Sequence, residues 1–268
     1  MNDGNQLPEE PQPQSIGYEE EYDVPTPSER VIAVITKPRE AFRDLRASRP
    51  WPLFFLCVAI IAAVNISAGL LLTNNDEWKA YQKEQLDEKI ESIEENSSMS
   101  KKEKEDAIEM IQSMGSSGPL TTAMMIAGPI ISTPIVLFII AAILLIIMKV
   151  LERGEETSTR YTDALAVASL GGIITAVGTL LVAILSIILK KPTFQAGASD
   201  LMETESPYLT AITAVLSVPM IWWIVVVGIG ISILVRSDLS KTWLVLGVTV
   251  LVLSLIVGFF MSLFEGLT

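Results

Sequence analysis

The chain has 268 residues, half of them hydrophobic, and carries 31 acidic against 19 basic side chains, a formal charge of −12, at a mean hydropathy of +0.47. With no histidine and one cysteine, Cys57, it lacks the usual zinc, haem and iron–sulfur ligand sets and any intrachain disulfide, so no cofactor is expected. An acidic chain offers no general footprint for nucleic acid.

Residues 1–29 hold eight acidic side chains, no basic one and five prolines, Pro8, Pro11, Pro13, Pro25 and Pro27. That composition predicts a disordered acidic tail, either merely solvated or docking a partner through Tyr18 and Tyr22. From Arg30 to Pro50 the charge reverses, giving a basic amphipathic juxtamembrane segment, residues 30–50. Thr36 is expected to cap a helix opened by Pro38, with Ala41, Phe42 and Leu45 on one side and Arg39, Arg43 and Arg46 on another. Two readings fit: a helix lying in the membrane interface, with Arg39, Arg43, Arg46 and Arg49 at lipid headgroups, or a positive flank before the first span.

The membrane domain, residues 51–268, contains five apolar stretches, each meeting the roughly 20 residues that a helix needs to cross a bilayer. They run from Trp51 to Leu72, Leu120 to Leu151, Ala164 to Leu189, Leu209 to Val235 and Trp243 to Leu263. Their unbroken apolarity excludes a β-barrel, whose strands alternate. Between the first two spans, residues 73–119 carry twelve acidic and six lysine side chains. Trp78, Tyr81, Leu86, Ile90 and Ile93 keep helical spacing. Ser100 with Glu103 then forms a capping box opening a second helix whose face is Ala107, Ile108, Ile111 and Met114. The segment is predicted to be an extramembrane helical hairpin, its stripes packed on each other or on a partner. The fold class is therefore all-α, a polytopic membrane helix bundle.

Lysine and arginine near the span ends divide ten to eight in favour of the face holding residues 30–50, and all arginines lie there. The expected orientation is N-terminus cytoplasmic and C-terminus outside. No charge falls in the middle of a span, which disfavours proton relays and voltage sensors. Pro129 and Pro134 in the second span, Gly171 and Gly172 in the third, and Pro219, Gly228 and Gly230 in the fourth are either kinks and close-packing sites or broken-helix binding sites. Ala168, Gly172 and Ala176, and Gly228 with Ser232, offer smooth faces at four-residue spacing. Asn65, a strongly polar amide within a span, is expected to bond to a neighbouring helix. There is no histidine for a triad, no GxxxxGK[ST] loop and no intramembrane carboxylate pair, so no enzyme is expected.

The run KPREAFRDLRASRPWPLFFL leads into the first span and RYTDALAVASLGG opens the third. On Pro38, Glu40, Ala41, Phe42, Pro50, Trp51, Pro52 and Tyr161 through Ala164, the chain resembles the Yip domain family, named for Ypt/Rab-interacting proteins, and especially its divergent bacterial members. The resemblance implies five spans, a cytoplasmic N-terminus and, for a bacterial member, the cytoplasmic membrane. Eukaryotic members act in vesicle trafficking and bind small GTPases and each other. The DLYGP-like motif of those members is absent here and the hairpin is extended, so GTPase binding is not carried over. What the resemblance implies is a scaffold or adaptor in membrane organisation, contacting the bilayer and other membrane proteins or copies of itself. The alternative is a small permease, channel or lipid-handling protein.

Overall fold

The computed structural model describes residues 24–96, 99–115, 119–152, 158–192, 194–201 and 206–265. Ten α-helices occupy them: α1 (Pro27–Thr36), α2 (Pro38–Phe42), α3 (Pro50–Thr73), α4 (Asp76–Glu95), α5 (Lys101–Gly115), α6 (Pro119–Leu151), α7 (Tyr161–Leu189), α8 (Pro207–Val215), α9 (Val218–Val235) and α10 (Leu239–Glu265). Five are long and apolar enough to cross a membrane: α3, Thr122–Leu151 of α6, α7, α9 and Leu239–Phe260 of α10. The chain is an all-α polytopic bundle. The tail residues 1–23 lie outside the described residues.

The bundle is organised around α7, which packs against α3, α6 and α9 and also meets α1. Hydrocarbon is as apolar as a leucine side chain, so helices in a bilayer associate through close packing rather than through the hydrophobic effect. α7 is built for this, since Ala164, Ala166, Ala168, Gly171, Gly172, Ala176 and Gly178 are all buried along it. α10 sits at the periphery against α8 and α9 and barely touches α6.

Several expectations change. The tail ends earlier than residue 29, because α1 already begins at Pro27. Thr26 and Glu29 form a capping box, the Thr26 backbone N–H donating to Glu29 Oε2 at 2.7 Å and the Glu29 N–H to Thr26 Oγ1 at 3.4 Å. The Thr26 backbone N–H first, and then the Thr26 hydroxyl, which donates to Glu29 Oε2 at 2.9 Å, hold the Glu29 carboxyl below its ordinary pKa.

The fourth apolar stretch is two helices rather than one. α8 ends at Val215, and α9 starts at Val218 with Pro219 in its first turn. Pro219 has no N–H for the carbonyl one turn back, and proline is tolerated in a first turn. A loop clips the break in place: Gly197 bridges Ser217, and the Val218 N–H donates to Ala196 O at 3.0 Å. A Cβ on Gly197 would lie 2.9 Å from Ser217 Cα, so the close approach needs glycine. α8 therefore leaves the α9 axis and lies along α10.

Asn65 is half-buried, and among the described residues its amide forms no hydrogen bond to another helix.

α4 and α5 form the hairpin and pack on each other. Ser100 caps α5 as its spacing predicts, its N–H donating to Glu103 Oε2 at 2.7 Å and the Glu103 N–H returning to Ser100 Oγ at 3.4 Å. No residue of α4 is fully buried, and Trp78 and Tyr81 meet at 5.9 Å between ring centroids. At about 1.5 Å per residue, α4 reaches roughly 30 Å.

Candidate functional site

Residues 24–50 form a compact platform at one end of the bundle. α2 has only five residues, far too few to be stable alone. What holds it is Arg30 of α1, which is fully buried. Its guanidinium donates to Ala41 O at 2.6 Å, Arg43 O at 2.7 Å, Pro25 O at 3.2 Å and Asp44 O at 3.3 Å. Carbonyls at the end of a helix have no intrahelical donor and carry the negative end of its dipole, so a planar cation with several donors fits there. Burial pulls the Arg30 pKa below its ordinary value, partly countered by the charge of Asp44. The chain then turns through Asp44, which takes a left-handed conformation at φ 49°, into a single 3₁₀ turn, Leu45–Ala47. Aspartate is one of the few residues that tolerates this.

The apolar side of this platform faces protein, not lipid. Ala41, Phe42 and Leu45 are buried, and the Phe42 ring lies over Gly230 of α9, where a Cβ would come within 2.8 Å of it. An interfacial helix with its apolar face in the bilayer is thus corrected to a platform seated on the bundle. Thr36 does not cap α2. It ends α1, donating its hydroxyl to Ile32 O at 3.1 Å.

The arginines divide accordingly. Arg46 Nε donates to Asp163 Oδ2 at 3.1 Å, and the same oxygen accepts the Arg160 N–H at 3.2 Å, so Asp163 caps α7 and docks the platform at once. The Asp163 side chain is only 8% exposed, which makes this the most enclosed ion pair among the described residues. Arg43 reaches Asp44 at 3.8 Å. Arg39 and Arg49 are exposed. Arg39, Arg43 and Arg49 thus remain on the outer surface of the platform, while Arg46 is committed largely to Asp163.

Within the membrane, Pro129 and Pro134 sit inside a continuous α6. The glycines face different partners. A Cβ on Gly171 would stand 2.7 Å from Val227 and 2.9 Å from Trp223 Nε1, both of α9. One on Gly172 would stand 2.7 Å from Ile61 of α3 and 3.1 Å from Leu137 of α6. Gly228 lies against the Trp243 ring of α10, and Trp243 Nε1 donates to Val225 O at 3.4 Å.

At the opposite face, Glu77 in the first turn of α4 pairs with Lys190, the C-cap of α7, at 3.3 Å. Its own backbone N–H first, and then Lys190, hold the Glu77 carboxyl below its ordinary pKa. Sequence spacing had no means of finding either cross-link to α7, since each joins residues more than a hundred positions apart. A cavity of about 470 Å³ also lies among α6, α8, α9 and α10, with Thr175 of α7 on its wall.

The Yip1 domain family model matches residues 32–262. The chain belongs to the Yip1 domain family. The matched stretch runs from within α1 to near the end of α10, so the platform from residue 32 onward, the hairpin and all five spans lie within one Yip1 domain. Among curated proteins and among solved structures nothing matches the chain.

Proposed function

We propose that this Yip1-domain protein is a non-enzymatic membrane scaffold that holds partner-binding elements on both faces of the bilayer in fixed relation. The observation supporting this reading is that α7, the central helix, is tied at each end to an extramembrane element. Asp163 in its first turn holds Arg46 of the platform, and Lys190 at its far end holds Glu77 of the hairpin. The platform side is taken as cytoplasmic, following the arginine distribution. The hairpin presents charged, exposed helix faces suited to reversible protein contact, and Arg39, Arg43 and Arg49 suit anionic headgroups.

The test is crosslinking in native membranes followed by co-purification with the full chain, with a chain lacking residues 76–114 and with one lacking residues 1–23. The scaffold reading expects specific proteins captured by the full chain and lost with one deletion or the other. Capture of none, or of the same set by all three, would count decisively against it. The rival reading, a small permease, channel or lipid-handling protein, draws support from the cavity among α6, α8, α9 and α10, and expects solute or lipid flux in liposomes.

A further inference from the structure

The cavity is a consequence of the broken fourth stretch. Because α8 leaves the α9 axis and lies along α10, a wedge stays open toward α6. Its volume of about 470 Å³ falls within the roughly 300–1,000 Å³ typical of ligand sites. Trp223 of α9 and Ile143 of α6 are among the apolar walls.

Four hydroxyls also line it, and each spends its one hydrogen on a backbone carbonyl about one turn back along its own segment. Thr175 donates to Gly172 O at 2.8 Å, Thr210 to Ser206 O at 3.1 Å, Thr249 to Val245 O at 2.8 Å and Ser254 to Val250 O at 2.9 Å. The hydroxyls remain as acceptors only, among walls that are otherwise overwhelmingly apolar, so a polar solute would lose most of its hydration without replacement. Thr175 stands midway along α7, and Trp223 belongs to the second turn of α9, so the cavity lies within the apolar thickness, toward the hairpin face. The outer end of the α8–α10 seam is closed by the contact of Tyr208 Oη with Ser262 Oγ at 3.2 Å. The seam between α6 and α10 is loose, and Leu253 and Val257 on it are exposed to the surroundings.

We propose that this cavity holds one acyl chain of a bilayer phospholipid, admitted sideways between α6 and α10. In hydrocarbon the gain is dispersion contact with walls that would otherwise face a void. The ordinary components of the membrane are the apolar chains at that depth, and the headgroup would stay at the hairpin face. Such a site does not require the scaffold reading.

Two measurements on the full chain test it. In vesicles of phosphatidylcholine brominated at mid-chain, the fluorescence of Trp223, taken as the difference between wild type and Trp223→Phe, is expected to be quenched even though this side chain is buried by protein. Native mass spectrometry after extraction from phosphatidylcholine and phosphatidylglycerol vesicles is expected to show one retained phospholipid. That lipid should be lost in Ala211→Phe and Ser254→Phe, which fill the cavity, and kept in Leu244→Phe on the outer surface of α10. Absence of Trp223 quenching overturns the proposal without depending on how any filled variant folds. Equal lipid retention in both filled variants also overturns it, as does finding that the retained species is a free fatty acid or a second copy of the chain.

Discussion

α7 and α10 are nearly equal in length, 29 and 27 residues, and their most apolar windows have the same mean hydropathy, yet 39% of that window of α7 is buried inside the protein against 11% for α10. Glycines part-way along each helix illustrate the contrast. Gly171 admits α9, Gly172 admits α3 and α6, and Gly178 admits Pro219 at the start of α9, so α7 is approached closely from several directions. Gly247 of α10 meets nothing within 4 Å. Apolarity places a helix in the membrane, whereas small side chains set where others can reach it.

The sharpest way to break this contrast is Gly172→Leu, which forces Ile61 and Leu137 away from α7. The expected loss is about 3 kcal/mol, the upper part of the range for overpacking, read by reversible unfolding in mixed micelles. A loss below a third of that would mean α3 and α6 yield easily and α7 is not the rigid centre.

Next comes Arg30→Ala, which strips donors from the carbonyls of Ala41, Arg43 and Asp44. A cost of about 2–3 kcal/mol is expected from buried acceptors left unpaired, together with faster amide exchange throughout α2. Arg30→Lys should recover only part, because an ammonium lacks the planar fork.

Asp163→Asn keeps an acceptor for the Arg160 N–H but removes the charge facing Arg46. About 1–2 kcal/mol is expected, in line with hydrogen bonds to charged groups. Combined with Arg46→Gln it should cost less than the sum of the two single changes, as partners in one pair do. Strict additivity would show that the platform docks independently of α7.

Acidification should have a smaller, local effect. The carboxyls of Glu29 and Glu103 are held below their ordinary pKa by the capping bonds to Thr26 and Ser100, the backbone bond first in each case. A carboxylate depressed in the folded state contributes stability above the unfolded value, about 4.3, and that contribution is lost as pH falls through the folded value. Amide protection in the first turns of α1 and α5 should therefore decline below about pH 4 while that of mid-α7 is unchanged. Equal decline in α7 would point to global unfolding instead.

The smallest effect is expected from Gly247→Leu, within about 0.5 kcal/mol as for surface positions, since open space surrounds it. A large loss would show that α10 is packed as tightly as α7.

Much of the fold is legible locally. The number of spans follows from runs of apolar residues, and the hairpin from its helical spacing and the Ser100–Glu103 box. The signal for α1 was present as well, in Thr26, Pro27 and Glu29, but the surrounding acidic, proline-rich composition favours a disordered reading of it. The basic segment shows why pattern has a limit: its apolar side suits lipid or protein equally well, and only the position of Gly230 beneath Phe42 decides between them.

By itself, the sequence determined what depends on neighbouring residues and on the solvent: five membrane spans, a polar helical hairpin, capping boxes, and the absence of charge from the middle of each span. The tertiary structure decided what depends on residues distant in the chain. It made Arg30 the cap of another helix, paired Arg46 with Asp163 and Glu77 with Lys190, and clipped the break before Pro219 in place by setting Gly197 against Ser217. The physical reason is range. Helix formation and transfer into a bilayer are read within one or a few turns, but a close contact or an ion pair exists only once folding has brought both partners together.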